Sequence, residues 1–314
     1  MCVWMCSGQG AQKPGMGADL LGLSRVAEAF EVASQAMELD LVELVRSGTA
    51  EQVDEPVTAQ ALTMAISVGV GKELMDRDIH PDALVGFSLG QISALALADV
   101  LSLEDAFLLL RVRANALADA CHEREGAMAA LLGASHEDAQ AVCASCAGDD
   151  VLVCANFNAP GQVVVSGDAA AVDRAQSHWK DQGGKSARLN TAGAFHSPLM
   201  QGASHALRAY CEGIAEDGRF RDPEFQVLCN TDARPFEHGA AVDRLASQVA
   251  SPVLFEQSVS RLIAEGHDDF VEVGFGGVLF NLVKRIDRSV DRHRVGTLDQ
   301  FEEFVAQSKE SADE

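Results

Sequence analysis

The chain has 314 residues, enough for one large domain or two modest ones; with 47% apolar and 23% charged residues it has the composition of a soluble globular protein. The formal charge of -23, from 24 basic and 47 acidic residues, argues against a nucleic-acid or anionic-membrane surface, since either needs a broad basic face. No apolar stretch approaches the roughly 20 residues of a membrane span, and Met1 to Cys6 lacks the basic region of a signal peptide, so a cytoplasmic protein that starts on a strand is expected.

Strand-like and helix-like segments alternate, which indicates the α/β class. Val3–Cys6 is expected as a strand, and Arg25–Met37 and Ala59–Met75 carry apolar residues at helical spacing. Ala83-Leu84-Val85 predicts a second strand, followed by a helix from Ile92 and a longer one over Glu104–Ala120. The texture then changes. Ala127–Leu132 is a predicted strand and Ser135–Ala147 a helix with Ser135 as N-cap. Strands at Val151–Ala155 and Gln162–Ser166 are joined by a turn around Asn158–Gly161, before a helix over Ala169–Trp179 and a strand over Ser186–Leu189. This βαββαβ order is the ferredoxin-like unit. The expected organisation is a small ferredoxin-like domain, 125–192, inserted into a large domain formed by 1–124 and 193–314.

Beyond the insertion, a helix is expected from Pro198, a strand over Phe225–Cys229, and helices near Val242–Val249 and over Phe255–Ala264. A strand at Asp269–Val273 and a helix at Val278–Ile286 follow, with an acidic, frayed end from Glu302. Gly8-Gln9-Gly10 lacks the third glycine of a dinucleotide turn, and Gly71-Lys72-Glu73 does not complete a P-loop. Of the eight cysteines only Cys143 and Cys146 are closely spaced, on a helix without further ligands at zinc spacing, so buried cytosolic thiols and no metal are expected.

Gly86-Phe87-Ser88-Leu89-Gly90, between a strand and a helix, has the form of a nucleophile elbow. Its glycines tolerate a sharp backbone while the hydroxyl is held beside free helix N–H groups. Five such residues also recur by chance as an exposed turn; context decides. A serine hydroxyl is a poor nucleophile until a base takes its proton. Among nine histidines the candidate base is His196, which precedes Ser197-Pro198, an N-cap and first helical position. A positive helix end there disfavours the imidazolium. Arg113 falls on the apolar stripe of its helix, with Leu109, Leu110, Ala116 and Leu117, whereas Arg111 falls on the wetter face. A buried guanidinium needs an anion, which either the protein or a ligand supplies. If the helix leaving Ser88 and the one carrying Arg113 form a hairpin, each path of about 10 residues, or roughly 15 Å, nearly cancels the other and returns Arg113 to the level of Ser88.

Several further segments, taken in order, resemble the malonyl-CoA:acyl-carrier-protein transacylases, the acyltransferase family of fatty-acid and polyketide synthesis. They run from Gly8-Gln9-Gly10-Ala11-Gln12 through the elbow, Arg113, Gly126–Ala130 and Asn156–Gln162 to Ala194–Met200, Gln248 ahead of Pro252-Val253, and Glu272–Leu279. The resemblance implies an α/β-hydrolase-like large domain with a parallel sheet. It makes Ser88 the acylated nucleophile and His196 its base, with the N–H groups of Gln9 and Leu89 as oxyanion hole. Arg113 then clamps the malonyl carboxylate, Gln248 orients His196 through its carbonyl, and Asn156 and Asn158 line the pantetheine channel. Phe195-His196 is the malonyl-selecting pair. The implied partners are malonyl-CoA, as substrate and not cofactor, and acyl carrier protein; no cofactor, nucleic acid or membrane is implied. An acidic carrier has to dock on local cations, for which Lys180, Lys185, Arg188, Lys284 and Arg285 are the candidates. The chain departs from the family pattern at Phe87 (His), Gln91 (Glu), Ser7 (Pro) and Ala59-Gln60 (Gln-Pro). Two rival readings are a serine esterase or thioesterase, which ordinarily has an acidic third member, and a non-catalytic carrier-binding scaffold.

Overall fold

In chain order the elements of the computed structural model are β1 (Cys2–Cys6), α1 (Ser24–Met37), α2 (Leu41–Ser47), α3 (Ala50–Asp54), α4 (Pro56–Met75), β2 (Ala83–Gly86), α5 (Gly90–Leu97) and α6 (Leu103–Glu123). Then come β3 (Gly126–Leu132), α7 (His136–Cys146), β4 (Leu152–Ala159), β5 (Gln162–Asp168), α8 (Ala169–Asp181) and β6 (Lys185–Arg188). The chain closes with α9 (Gln201–Glu216), β7 (Gln226–Leu228), α10 (Ala241–Ser247), α11 (Phe255–Ala264), β8 (Asp269–Val273), α12 (Val278–Ile286), β9 (Asp291–Val295) and α13 (Leu298–Asp313). The structure describes residues 1–191 and 193–313, with side chains to 310; the expected domain ends at 192 and 314 lie outside the described residues.

A five-stranded parallel sheet, ordered β7-β2-β1-β8-β9, forms the core of the large lobe. Its central strands are apolar on both faces because helices cover both. Trp4, Cys6, Leu84, Val227 and Val271 face a layer that includes α1, α4, α6 and α9. The alternate residues Val3, Met5, Ala83, Val85 and Phe270 pack on α11 and α12 through Phe255, Val259, Leu279 and Leu282. From β1 the chain winds outward through β2 to β7, then returns to the other side of β1 for β8 and β9. The order therefore reverses between β1 and β8.

The small lobe is an antiparallel sheet ordered β4-β5-β3-β6, the ferredoxin-like arrangement. Ala127, Ala129 and Leu131 alternate toward α7 and α8, while Met128 and Ala130 turn toward Phe195 of the large lobe. Four local expectations change. Asn158 and Ala159 belong to β4, so the turn lies at Pro160-Gly161. Among the described residues the region after Glu302 is helical and not frayed: α13 buries Phe301, Phe304 and Val305 on one face, and Glu302, Glu303 and Glu310 lie on the solvated one. β9 escaped notice because an edge strand, here Asp291-Arg292-His293-Arg294-Val295, needs few apolar residues. The short helices α2 and α3 were also unforeseen.

Candidate active site

Two glycines make the turn after β2 possible. A Cβ on Gly86 would lie 2.2 Å from the oxygen of Gly90, and one on Gly90 would lie 2.0 Å from the carbonyl oxygen of Cys6. Between them Ser88 adopts φ 53°, the left-handed region that few non-glycine residues occupy and that recurs at functional sites. Its carbonyl is fixed by the N–H of Gln91 at 3.0 Å and by Gln248 Nε2 at 2.8 Å. Two donors on this one carbonyl hold the Ser88 backbone in place.

His196 also has positive φ, 60°, and its N–H donates to the carbonyl of Val249 at 2.9 Å. Its Nδ1 lies 3.0 Å from two carbonyl oxygens, of Gln248 and Ser251. Carbonyls only accept, so Nδ1 carries the proton and Nε2 keeps its lone pair. Nε2 lies 2.8 Å from Ser88 Oγ. Burial first, and the Arg113 charge second, push the imidazole from 6.5 down to about 4, so His196 is a neutral base at pH 7. That cause differs from the helix end expected: the Ser197-Pro198 cap is present, but desolvation governs.

Arg113 comes down from α6 with its side chain buried. Nη1 donates to Gln60 Oε1 and Nη2 donates to Ser88 Oγ at 3.0 Å. Among the described residues no carboxylate pairs with it. Burial lowers its pKa to about 10, which still leaves it charged at neutral pH. Of the two readings left open for a buried arginine, an internal ion pair is therefore removed. A desolvated cation beside a serine hydroxyl needs an anion from outside. Arg111, on the wetter face, instead pairs with Glu38 at 2.7 Å.

The cavity of about 110 Å³ around these groups is lined by Ser88, His196, Arg113, Gln9, Asn156 and Phe195, with Phe87, Met128 and Leu189 adding apolar wall. Gln9 enters it from the loop after β1; Leu89 follows Ser88 directly. Neither residue's N–H has an acceptor among the described residues, so both remain available to a ligand oxygen. Asn156 reaches the cavity from β4, but Asn158 does not line it; its Oδ1 is buried without a partner. Of the departures from the family pattern, Phe87 packs edge-on against Phe255, 5.6 Å between centroids, and Gln91 Oε1 accepts from the N–H of Asn230 at 2.8 Å. Ser7 Oγ donates to Glu272 at 3.1 Å.

Two site residues were missed in the sequence. Gln60 holds the guanidinium of Arg113, and the signal was a lone amide within the apolar run Ala59–Ala65. The Ser251 carbonyl has no signal at all, because it is a backbone atom brought in by a loop.

The arrangement is a serine hydroxyl hydrogen-bonded to a neutral histidine, which among the described residues rests on carbonyls and no carboxylate, with a buried cation facing the same hydroxyl. The comparisons agree with that chemistry. Residues 3–301 match the model of the acyl transferase domain family. The malonyl CoA-acyl carrier protein transacylase of Bacillus subtilis (strain 168) is 35% identical over 310 residues, covering 98% of this chain and 96% of its own length. The crystal structure of the malonyl-CoA:acyl carrier protein transacylase from Xanthomonas oryzae pv. oryzae superposes with a TM-score of 0.92 at 35% identity and covers 98% of each chain. A malonyl-transacylase solved in complex with a type II polyketide acyl-carrier protein has a TM-score of 0.91 at 30% identity, again over 98% of each chain. Motif order, elbow geometry and near-complete coverage all lead to one family, and this chain belongs to the acyl transferases.

Proposed function

We propose that this protein transfers the malonyl group from malonyl-CoA to the pantetheine thiol of acyl carrier protein, in the cytoplasm, as a step of fatty-acid biosynthesis. The observation that carries this reading is the convergence of Ser88 Oγ, His196 Nε2 and Arg113 Nη2 within 3.0 Å contacts in one cavity. Arg113 pairs with the free carboxylate of the malonyl group and leaves the thioester carbonyl against Ser88. Ser88 Oγ gives its proton to His196 Nε2 and forms a bond to the carbonyl carbon. The carbonyl oxygen becomes an oxyanion held by the N–H groups of Gln9 and Leu89. As the oxyanion collapses, the C–S bond breaks and His196 returns the proton to the CoA sulfur. The carrier's thiol then repeats the sequence in reverse on malonyl-Ser88.

A thiol with pKa of about 8.5 departs far more readily than an amine, so a dyad suffices. The imidazolium that forms transiently is stabilised by the carbonyls of Gln248 and Ser251. Carbonyl partners in place of a carboxylate favour transfer over the esterase alternative, whose histidine ordinarily rests on an acid. Asn156 is assigned to the pantetheine arm, and Asn158 to support of β4 behind it. Docking of an acidic carrier falls to exposed Lys180, Lys185, Lys284 and Arg285; Arg188 contributes less because it is paired with Asp173. Intact-protein mass spectrometry tests the reading. Mixing with malonyl-CoA adds one malonyl mass, and carrier protein then removes it. Release by water alone at the same rate would make the protein a thioesterase.

A further inference from the structure

Parallel open sheets bind ligands in the crevice at the carboxyl ends of their strands, where the strand order reverses. In this sheet the reversal lies between β1 and β8. The loop after β1 leads toward α1 on one face, and the loop after β8 leads into α12 on the other. The cavity with Ser88 is centred on the neighbouring elbow after β2. A second cavity of about 190 Å³ occupies the reversal itself, between Lys13 of the first loop, the Gly274-Phe275-Gly276-Gly277 turn, and Arg294 at the end of β9. That is far above the ~10–15 Å³ a single water requires, so there is room for a polyatomic ion.

We propose that this crevice binds phosphate, either free or as a phosphate group of a larger ligand. Lys13 and Arg294 form no ion pair among the described residues, and no carboxylate lines the cavity, in a chain of formal charge -23. Both cations are held in place by aromatic faces of the same turn and helix. Lys13 Nζ stands 5.2 Å from the centre of the Phe275 ring, and the Arg294 guanidinium 5.2 Å from that of Phe280. Gly274, Gly276 and Gly277 have φ of 128°, 133° and 101°, a turn that residues with a Cβ rarely adopt and that brings the backbone to the cavity wall. The N–H groups of Phe275 and Gly276 have no acceptor among the described residues. Gly277 is not part of the anion cradle, since its N–H donates to buried Glu272 at 3.2 Å.

The crevice is joined to the catalytic cavity by one short loop, with Gly8 and Gln9 in the first cavity and Lys13 in the second. Glu272 braces that loop from below by accepting from Ser7 Oγ at 3.1 Å and from the N–H groups of Gly277 and Phe280. An anion between Lys13 and Arg294 therefore fixes the loop that carries Gln9.

Calorimetric titration of the purified protein with orthophosphate and with pyrophosphate, at constant ionic strength, tests the site. One saturable equivalent is expected, with affinity lowered about tenfold by Lys13→Ala and by Arg294→Ala, as for loss of one charge-assisted contact. Arg46→Ala, an exposed cation elsewhere, should leave the affinity unchanged. Both site residues are exposed, so their replacement does not threaten folding. KM then separates the sources, and this arm alone rests on the proposed transferase reading. A rise of KM in the double variant for malonyl-CoA but not for malonyl-pantetheine assigns the site to the substrate's own phosphates. Lost phosphate binding with both KM values unchanged assigns it to a free anion. Absence of saturable binding, or equal affinity in wild type and both variants, overturns the proposal; failure of Ser88 to acylate would remove the transferase and leave the titration intact.

Discussion

At the carboxyl edge of the parallel sheet the large lobe holds Ser88 and His196 in left-handed backbone and, among the described residues, buries a charged arginine without a carboxylate partner and leaves the N–H groups of Gln9 and Leu89 unbonded. Among the described residues of the small lobe no residue other than glycine takes positive φ. Its core of Ala127, Leu131, Val142, Val165 and Trp179 is apolar, and the buried indole N–H is satisfied by the carbonyl of Leu132 at 3.2 Å. Its helix α7 begins with a complete capping box between Ser135 and Asp138. A left-handed backbone in non-glycine residues lowers stability and recurs at functional sites, and here a serine and a histidine in that conformation meet beside one buried arginine, which marks where chemistry is done. The small lobe contributes shape: β3 and β4 bring Met128 and Asn156 to the cavity as its far wall.

This contrast breaks first at the nucleophile. Ser88→Ala or His196→Ala should lower malonyl transfer by about 10⁴–10⁶-fold, as for other serine–histidine pairs, with the fold intact by circular dichroism. Acylation of Ser88→Ala detected by mass would place the nucleophile elsewhere. The pH dependence is a sharper probe of the same pair. Because burial lowers the imidazole from 6.5 to about 4, the base form persists, and the acid limb of acylation by the free enzyme should fall near pH 4 and not near 6.5. The same shift has a stability consequence of definite sign. Between those values the unfolded chain binds the proton and the folded one does not. The contribution of neutral His196 is thus whole above pH 6.5 and declines toward pH 4, by roughly 3 kcal/mol in all. A ring titration by NMR centred near 6.5 would contradict both expectations.

Next in size is the clamp. If Arg113 pairs with the malonyl carboxylate as proposed, Arg113→Ala should cost about 1.5–3 kcal/mol, or roughly 10- to 150-fold in malonyl transfer. Acetyl transfer should fall less, so the ratio of acetyl to malonyl rises; equal losses for the two acyl groups would show that Arg113 only holds Ser88 in place. Gln60→Ala should move the ratio in the same direction by less, since it loosens the guanidinium without removing its charge.

The same contrast explains what could be read in the residues beforehand. The elbow, the capped helix α7, the stripe that carries Arg113 and the βαββαβ order are local patterns, each contained within a few turns or strands of chain. They were legible because periodicity and turn chemistry act over that range. Gln60 and the Ser251 carbonyl reach the site only through tertiary packing, from 53 and 55 positions away along the chain. The end of the chain was misread for a different reason. Charge along Glu302–Glu310 obscured the i, i+3, i+4 set of Phe301, Phe304 and Val305, a helical signal that was present. Of the two asparagines assigned to the channel by resemblance, Asn156 lines the cavity and Asn158 does not. Irregular pairing between Cys154 and Asn156, and again between Phe157 and Ala159, upsets the simple two-residue alternation of β4.

The smallest effect is expected in the small lobe and tests its separateness most directly. In α7 the Ser135 side chain accepts from the N–H of Asp138 at 3.1 Å, and the Asp138 carboxylate accepts from the N–H of Ser135 at 3.0 Å. Ser135→Ala removes the first of these and should cost about 1 kcal/mol. The helix packs on the face of the antiparallel sheet formed by Ala127, Ala129 and Leu131, whereas Met128, on the opposite face, lines the cavity. Destabilisation of α7 therefore has the thickness of the sheet between it and Ser88. Chemical denaturation should show the loss while the rate of Ser88 acylation stays within twofold of wild type. A variant that loses acylation in proportion to stability would mean that the two lobes share one mechanical unit, and that the wall of the cavity is set by the small lobe's core as well as by its inner face.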